Sequence, residues 1–250
     1  MKLRILIFVF FGLILLIGLY LNRSYARMYS TMSAKHLLPP SEQTHFTLGN
    51  EQAAITVTYI ALGDSLTAGT GVDRAEDMYA YRIAERIAKK QTAKVEFVNL
   101  GVPGAVVKDL LDVQLTRAIE QKPTYITLLI GVNDVHARTP LLDFENQYEQ
   151  IVKRLNQETN AKIAVISIPY VGAPSLFLPP YQYYFDNKTR EYNRVIKNIA
   201  NTYSLQYIDL YSAMEGSFKK DEGLYSEDLF HPGATGYYLW AEYIYANLNS

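Results

Sequence analysis

The sequence predicts a three-layer α/β/α sandwich with a central five-stranded parallel sheet, preceded by an N-terminal transmembrane helix. Short β-rich runs alternate five times with helical stretches along the chain. Two of the runs, ITLLI at 126–130 and IAVISI at 163–168, are apolar at successive positions. Strands that are buried on both faces of a parallel sheet have this pattern, and the alternating helices cover the two faces. The transmembrane helix is predicted from a long uncharged run near the N-terminus.

That N-terminal run covers 5–21 and contains 17 residues without a charge. As a helix it measures about 25 Å, which is just enough to cross a thin or locally adapted bilayer. The run is longer than the roughly 7–15 residues of a signal-peptide core, which favours a retained membrane anchor. Ser24-Tyr25-Ala26 has the small-x-small form that signal peptidase cuts, so secretion after cleavage is the alternative.

The domain boundaries follow from changes in composition. Residues 1–22 are predicted as an anchor or signal segment, and an N-terminal segment of this kind favours export of the remainder to the outside of the cytoplasm. Residues 23–51 are polar, contain Pro39-Pro40 and show neither a helical nor a strand period, which predicts a tether. Residues 52–250 are predicted to form one domain, since a single α/β domain commonly has about 200 residues.

Within this domain, each predicted strand is a β-rich run bounded by turn residues. The strands are predicted at 55–62, 95–99, 125–130, 163–168 and 206–210. The helices are predicted at 78–91, 106–121, 142–159, 186–203 and 235–248. Sheets of this class bind ligands outside the carboxyl ends of their strands. The residues that follow each strand are therefore the first candidates for a functional site.

Composition excludes several classes of function. The formal net charge is -1, from 24 basic and 25 acidic side chains, so the chain has no basic field for a nucleic-acid backbone. It has no cysteine, which excludes disulfides, thiolate metal sites and a cysteine nucleophile. The glycine-rich stretch that begins at Gly69 lacks both the P-loop lysine and the third glycine of a dinucleotide fingerprint. We therefore expect neither nucleic acid nor a nucleotide cofactor as a partner.

Three notable residues follow the first three predicted strands. Ser65 follows the first strand, with Gly63 two residues before it, so that a tight turn there would present its hydroxyl. Gly104 follows the second strand and can offer a backbone N–H to an anion, and Asn133 follows the third with a side-chain amide. Taken singly, each has an ordinary alternative, namely a helix N-cap, a loop glycine or an Asx turn.

A fourth feature is the pattern Asp-x-x-His at 228–231. If this loop makes one turn, the Asp228 carboxylate lies within reach of the His231 imidazole, where it can hold the tautomer and stabilise the imidazolium. His136 is a rival base, although no acidic residue stands at the same three-residue spacing from it. His36 and His45 fall in the predicted tether, which makes them poor candidates.

Together, these motifs resemble the four blocks of the SGNH hydrolase superfamily, also called the GDSL esterases and lipases. The blocks are Gly-Asp-Ser-Leu at 63–66, the loop of Gly104, Gly-x-Asn-Asp at 131–134 and Asp-x-x-His at 228–231, within a resemblance that covers about 56–247. The resemblance implies a flavodoxin-like sandwich and a serine hydrolase that uses neither a metal nor another cofactor.

The resemblance also implies the role of each site residue. The catalytic residues would be Ser65, Asp228 and His231. The oxyanion hole would consist of the Ser65 N–H, the Gly104 N–H and the Asn133 side chain. Gly101, three residues before Gly104, competes with it for this role.

The function implied is hydrolysis of carboxylic esters through an acyl-enzyme. An enzyme anchored outside the membrane would meet lipid acyl esters and O-acylated glycans first, so these are the expected substrates. An acyltransferase that uses the same acyl-enzyme is one alternative, and a catalytically silent, membrane-tethered glycan-binding module is another. The stretch at 169–185 contains four prolines, four tyrosines and two phenylalanines, and is a candidate lid or acyl-binding wall. Its composition suits an acyl chain and a sugar ring equally.

Overall fold

The computed structural model describes residues 2–34 and 37–248 of the chain. Its strands are β1 His45–Gly49, β2 Thr56–Gly63, β3 Lys94–Asn99, β4 Tyr125–Leu129, β5 Lys162–Ile166 and β6 Gln206–Ile208. They form a sheet in the order β1-β3-β2-β4-β5-β6. All neighbouring pairs are parallel except β1 and β3, which are antiparallel.

The predicted fold class is confirmed, but the prediction of five strands is wrong, because the sheet has a sixth. Strands β2 to β6 are those predicted from the sequence, whereas β1 lies in the segment predicted as a tether. Phe46 of β1 stacks on Phe97 of β3, and Leu48 is buried, while Thr47 donates a hydrogen bond to Glu96. Two apolar positions are too few to show a strand period, so pairing with β3 rather than the local pattern creates this edge strand.

The helices alternate with the strands as expected. They are α1 Lys2–Ala34, α2 Ser65–Ala68, α3 Tyr79–Gln91, α4 Val107–Asp109, α5 Leu115–Glu120, α6 Val132–Ala137, α7 Leu141–Glu158, α8 Tyr181–Thr202, α9 Leu210–Phe218 and α10 Ala234–Asn247. A π-helical turn, Leu110–Gln114, joins α4 to α5. Helix α8 begins at Tyr181 rather than at the predicted residue 186.

The segment between the apolar run and the domain differs from the predicted tether. Helix α1 does not end at residue 22 but continues to Ala34, and Ser24 on its second half is buried. Packing of this half therefore accounts for a helix that the polar local sequence does not indicate. His45 lies in β1, and His36 lies outside the described residues. The part Ile5–Thr31 is long and apolar enough to cross a membrane, and none of its most apolar window is buried against the rest of the chain.

A cluster of aromatic side chains joins α3 and α10 to the loop that follows β2. Trp240 and Tyr237 of α10 pack against Tyr79 of α3, and all three are fully buried. The Tyr79 hydroxyl lies 3.0 Å from Thr67 Oγ1, and the Tyr237 hydroxyl donates to the Thr70 carbonyl at 2.8 Å. The C-terminal helix thus fixes the first loop of the carboxyl edge of the sheet.

We expect Trp240→Ala to lower the free energy of unfolding by about 3–5 kcal/mol, since it removes a fully buried aromatic side chain and leaves a cavity. Thermal or urea unfolding followed by circular dichroism measures the effect. Tyr238→Ala is the matched control, because Tyr238 lies on the same helix but is exposed. Equal losses in the two variants would contradict the role assigned to the aromatic cluster.

Candidate active site

The turn after β2 presents Ser65 at the carboxyl edge of the sheet. Strand β2 ends at Gly63, and Ser65 is the first residue of the short helix α2. A Cβ at Gly63 would lie 2.2 Å from the Leu129 carbonyl oxygen, so only glycine allows this close approach to β4. Asp64 caps α2, because its carboxylate accepts a hydrogen bond from the Leu66 N–H at 2.9 Å. These constraints fix the direction of the serine side chain.

A chain of two hydrogen bonds connects this serine to residues near the C-terminus. His231 Nε2 lies 2.9 Å from Ser65 Oγ, and His231 Nδ1 lies 2.6 Å from Asp228 Oδ2. The other carboxylate oxygen of Asp228 accepts hydrogen bonds from the Ser226 hydroxyl and from the backbone N–H groups of Phe230 and His231. Leu229, between them, adopts a positive φ of 59°, which tightens the turn. The structure therefore brings together the three residues that the Asp-x-x-His pattern and the strand-end serine indicated.

The ionisation of Asp228 follows from these contacts. Burial raises the pKa of its carboxyl group, but the hydrogen bond and charge of His231 and the two backbone N–H groups more than offset this and lower the pKa to about 2. Asp228 is consequently a carboxylate at neutral pH. It accepts the Nδ1 proton of His231 and so leaves Nε2 unprotonated toward Ser65 in the neutral imidazole.

Gly104 and Asn133 line the same cavity as Ser65 and His231. Gly104 has a φ of 81°, and nothing lies within 4 Å of the position its Cβ would take, so backbone conformation rather than crowding favours glycine here. Asn133 is in the first turn of α6, and its side-chain amide donates to the Ala105 carbonyl at 2.9 Å. That hydrogen bond ties the amide to the loop that carries Gly104.

Gly101 has a different role from Gly104. Its N–H donates to the Asn99 side chain at 3.0 Å, and a Cβ at Gly101 would lie 2.5 Å from the backbone nitrogen of Ala68. Gly101 therefore allows the loop after β3 to pack against helix α2, and its N–H is already used. The sequence offered both glycines as candidates for the oxyanion hole, and of the two it is Gly104 that lines the cavity.

Gln114 is a site-supporting residue that the sequence did not reveal. Its side chain accepts a hydrogen bond from the Gly63 N–H at 3.1 Å and donates one to the Gly63 carbonyl at 2.8 Å. Gln114 is only 1% exposed and ends the π-helical turn between α4 and α5, a local distortion that often accompanies functional sites. A glutamine within an ordinary amphipathic helix gives no sequence signal of this contact.

Two further carboxyl groups are buried beside the serine turn. Burial, with a smaller contribution from the charge of Asp134, raises the pKa of Asp64 to about 7, and burial raises the pKa of Asp134 to about 6. Asp134 accepts a hydrogen bond from the Val107 N–H at 2.9 Å and so holds the start of α4 next to the Gly104 loop. Both residues act as braces for the loops that carry the candidate site.

The cavity has a volume of about 260 Å³, and its wall includes side chains from distant parts of the chain. Leu37, from the predicted tether, lines it together with Thr70, Pro103 and Phe230. His136 also lines it, but the hydrogen bond to Ser65 comes from His231. Burial lowers the pKa of His136 to about 4, so this imidazole is neutral at physiological pH.

The stretch at 169–185 forms a second wall behind His136. The rings of Phe177, Phe185 and Phe230 surround the imidazole at centroid distances of 6.0, 4.7 and 5.3 Å. The end of the stretch, 181–185, is not a loop, because α8 begins at Tyr181. Among residues 2–34 and 37–248, no group of three or more His, Cys, Asp or Glu side chains is arranged to hold a metal ion.

The raised pKa of Asp64 predicts a specific pH dependence of stability. A carboxyl group whose pKa is higher in the folded protein than in the unfolded chain binds more protons in the folded state between the two values. The free energy of unfolding therefore falls as the pH rises from about 4 to about 7, by up to about 1.4 kcal/mol per pH unit for this group. Asp64→Asn keeps the cap of α2 and should flatten this slope. Urea unfolding between pH 4 and pH 8 measures it, and parallel curves for the two proteins would contradict the assignment.

Comparison with known proteins agrees with this geometry. Residues 61–239 match the GDSL-like Lipase/Acylhydrolase family. An acetylxylan esterase from Geobacillus stearothermophilus is 27% identical over 162 residues, which are 59% of this chain and 69% of that protein. The uncharacterized protein YpmR of Bacillus subtilis (strain 168) is 25% identical over 224 residues, which are 82% of this chain and 84% of that protein. A solved lipase/acylhydrolase from Enterococcus faecalis has a TM-score of 0.63 at 25% identity, and the match covers 76% of this chain and 94% of that one.

The family match covers well over half of the chain and includes all of the strand-end motifs from β2 onward. It confirms the resemblance that those motifs indicated. The chain belongs to the GDSL-like lipase/acylhydrolase family, and it is a carboxylic ester hydrolase.

Proposed function

We propose that the protein is a serine esterase that hydrolyses carboxylic esters through a Ser65–His231–Asp228 triad and an acyl-enzyme. The observation that carries the proposal is the continuous chain of hydrogen bonds from Asp228 Oδ2 through both ring nitrogens of His231 to Ser65 Oγ. Nucleophile, base and orienting carboxylate thus stand in the relation that acyl transfer by a serine requires.

In the proposed mechanism, His231 Nε2 takes the proton from Ser65 Oγ as this oxygen attacks the ester carbonyl carbon. The tetrahedral intermediate collapses when the C–O bond to the alcohol breaks, and the imidazolium gives its proton to the departing alcohol. A water molecule then attacks the acyl-enzyme, with His231 again as base, and releases the acid. Asp228 keeps the imidazole oriented and stabilises its charged form throughout.

The oxyanion hole is proposed to consist of the Ser65 N–H, the Gly104 N–H and the Asn133 side-chain amide. Within the described part of the chain, neither of the two backbone N–H groups donates a hydrogen bond to another protein group. Unpaired N–H groups at the wall of a cavity favour binding of an anion there. Asn133 retains a second amide hydrogen, since its bond to Ala105 uses only one.

Short acyl groups are the proposed substrates of the cavity. Its volume of about 260 Å³ lies below the range of roughly 300–1,000 Å³ that is usual for pockets that enclose drug-sized ligands. The similarity to an acetylxylan esterase supports the same choice, since that protein acts on an acetyl ester. We therefore propose that acetyl and other short-chain esters fit better than long acyl chains.

We expect the purified full-length chain in detergent to hydrolyse p-nitrophenyl acetate and butyrate faster than the octanoate. Ser65→Ala should lower kcat by at least about a thousandfold, since removal of the nucleophile leaves only binding and the oxyanion hole. Release of p-nitrophenol measures the rates. Full activity of Ser65→Ala, or no turnover by the folded wild-type chain, would contradict the proposal.

A pair of histidine variants provides the matched control for the same assay. His231→Ala should lose activity as Ser65→Ala does, because it removes the group that bonds Ser65 Oγ. His136→Ala should retain most turnover of p-nitrophenyl acetate, although its ring lines the same cavity. The opposite result would make His136 the base.

We expect Asn133→Ala to lower kcat by about a hundredfold or more, which corresponds to a loss of about 3 kcal/mol of transition-state stabilisation. KM should change much less, because the amide acts mainly on the charge that develops in the transition state. Steady-state kinetics with p-nitrophenyl acetate separate the two parameters. An unchanged kcat would remove Asn133 from the mechanism.

A further inference from the structure

The second half of α1 has one face that packs against the folded domain. Among the described residues of this half, the ones with reduced exposure are Leu21, Ser24, Met28 and Thr31. Their spacing of three, four and three residues places them on one side of the helix. Ser24 is only 4% exposed, and Met28 packs against the hydrophobic core. This half of the helix is therefore docked on the domain and is not a flexible linker in this conformation.

Two tyrosines beside the docked face, Tyr20 and Tyr25, contact the polypeptide that walls the catalytic cavity. The Tyr20 hydroxyl donates a hydrogen bond to the Pro179 carbonyl at 2.9 Å, and the ring of Tyr25 lies 6.4 Å from that of Tyr181. Phe177 and Phe185, on either side of these contacts in sequence, hold the ring of His136 at the cavity wall. The same short stretch thus contacts both the anchor helix and the site.

The contact at Tyr20 also fixes the distance of this stretch from a membrane. Tyr20 stands at the end of the apolar run at 5–21, shortly before Arg23. Since tyrosine is enriched at the membrane–water interface and charged residues remain outside the hydrocarbon core, insertion of the run places Tyr20, and the Pro179 carbonyl that it contacts, near that interface. Tyr183 and Tyr184, just beyond, are exposed, and tyrosine is the kind of side chain that is enriched at that interface.

We propose that docking of α1 on the Pro179–Tyr181 stretch holds the catalytic cavity at the bilayer surface, so that the enzyme acts on short acyl esters carried by membrane-resident amphiphiles. The proposal rests on the esterase function and on the membrane anchor proposed from the sequence. Leu37, three residues after the end of α1, lines the cavity.

Docking raises the effective concentration of a membrane-borne ester at the catalytic cavity. A cavity held at a fixed height above the bilayer meets an ester in the headgroup layer far more often than one on a flexible tether, which samples a much larger volume. The gain does not apply to a small ester dissolved in water. Docking should therefore change the rate on a bilayer-borne ester and leave the rate on a soluble ester unaltered.

The test uses the full-length chain in phosphatidylcholine nanodiscs that contain an ether lipid with one acetyl ester. Release of acetate from this lipid is compared with hydrolysis of soluble p-nitrophenyl acetate by the same preparation. Ser24→Arg and Met28→Glu each place a charge on the docked face of α1. Ala26→Arg is the matched control, because Ala26 is exposed on the opposite side of the helix.

We expect Ser24→Arg and Met28→Glu to lose about tenfold in rate on the acetyl lipid and to keep the wild-type rate on p-nitrophenyl acetate, with Ala26→Arg unchanged on both. Unchanged rates on the lipid in both docking variants would overturn the proposal. If one variant lost soluble activity through misfolding, the other would decide by the same comparison. A wild-type chain that does not hydrolyse p-nitrophenyl acetate would overturn the esterase function, whereas turnover of that ester without turnover of the lipid would overturn only the membrane-surface proposal.

Discussion

The site depends on the carboxyl end of β2. Several buried backbone groups there lie past the last paired residues of β2 and β3, so they need hydrogen-bond partners from outside the sheet. Gly63 pairs with β4 on one side, while on the other side β3 has already ended its register with β2. Gln114 accepts a hydrogen bond from the Gly63 N–H and donates one to the Gly63 carbonyl, which also accepts one from the Val102 N–H at 3.1 Å. Since an unpaired buried N–H or carbonyl costs about 1–3 kcal/mol, this bidentate contact stabilises a turn that would otherwise be unfavourable. The direction of Ser65 follows from that turn.

Three buried carboxyl groups near this turn differ in ionisation because their partners differ. Asp228 has an imidazole and two backbone N–H groups beside it, and its pKa is about 2. Asp64 and Asp134 are buried without a cationic partner, so their pKa values rise to about 7 and about 6. One fold thus keeps one carboxylate fully charged next to the histidine and raises the pKa of two others next to the serine turn. In its protonated form, Asp64 places no negative charge beside an oxygen that must carry one during attack.

The N-terminal helix packs on the domain that carries the candidate site. An apolar helix that only anchors a domain needs no contact with it, yet α1 buries Ser24 and bonds the stretch that walls the cavity. The edge strand β1 then follows directly and pairs with β3. Removal of everything before residue 51 would take away β1 together with the docked half of α1, and so would alter the domain itself. The second half of α1 and the domain are structurally one unit.

Local patterns in the sequence determined the order of elements and the identity of the strand-end motifs. Strands that are buried on both faces require continuous apolar runs such as ITLLI, and tight turns at strand ends require glycine. For these reasons β2 to β6 and the motif positions can be predicted from the sequence. The family follows from the same motifs. By contrast, only the tertiary structure decided that Ser65 and His231, which are 166 positions apart, lie at hydrogen-bond distance. It also decided that Gly104 rather than Gly101 lines the cavity, that Gln114 holds Gly63, and that β1, Leu37 and the second half of α1 belong to the domain. The physical reason is that periodicity and turn residues reflect interactions between neighbours along the chain. The contacts decided by the tertiary structure join distant segments. The sequence of each such segment permits several conformations, and packing selects one of them.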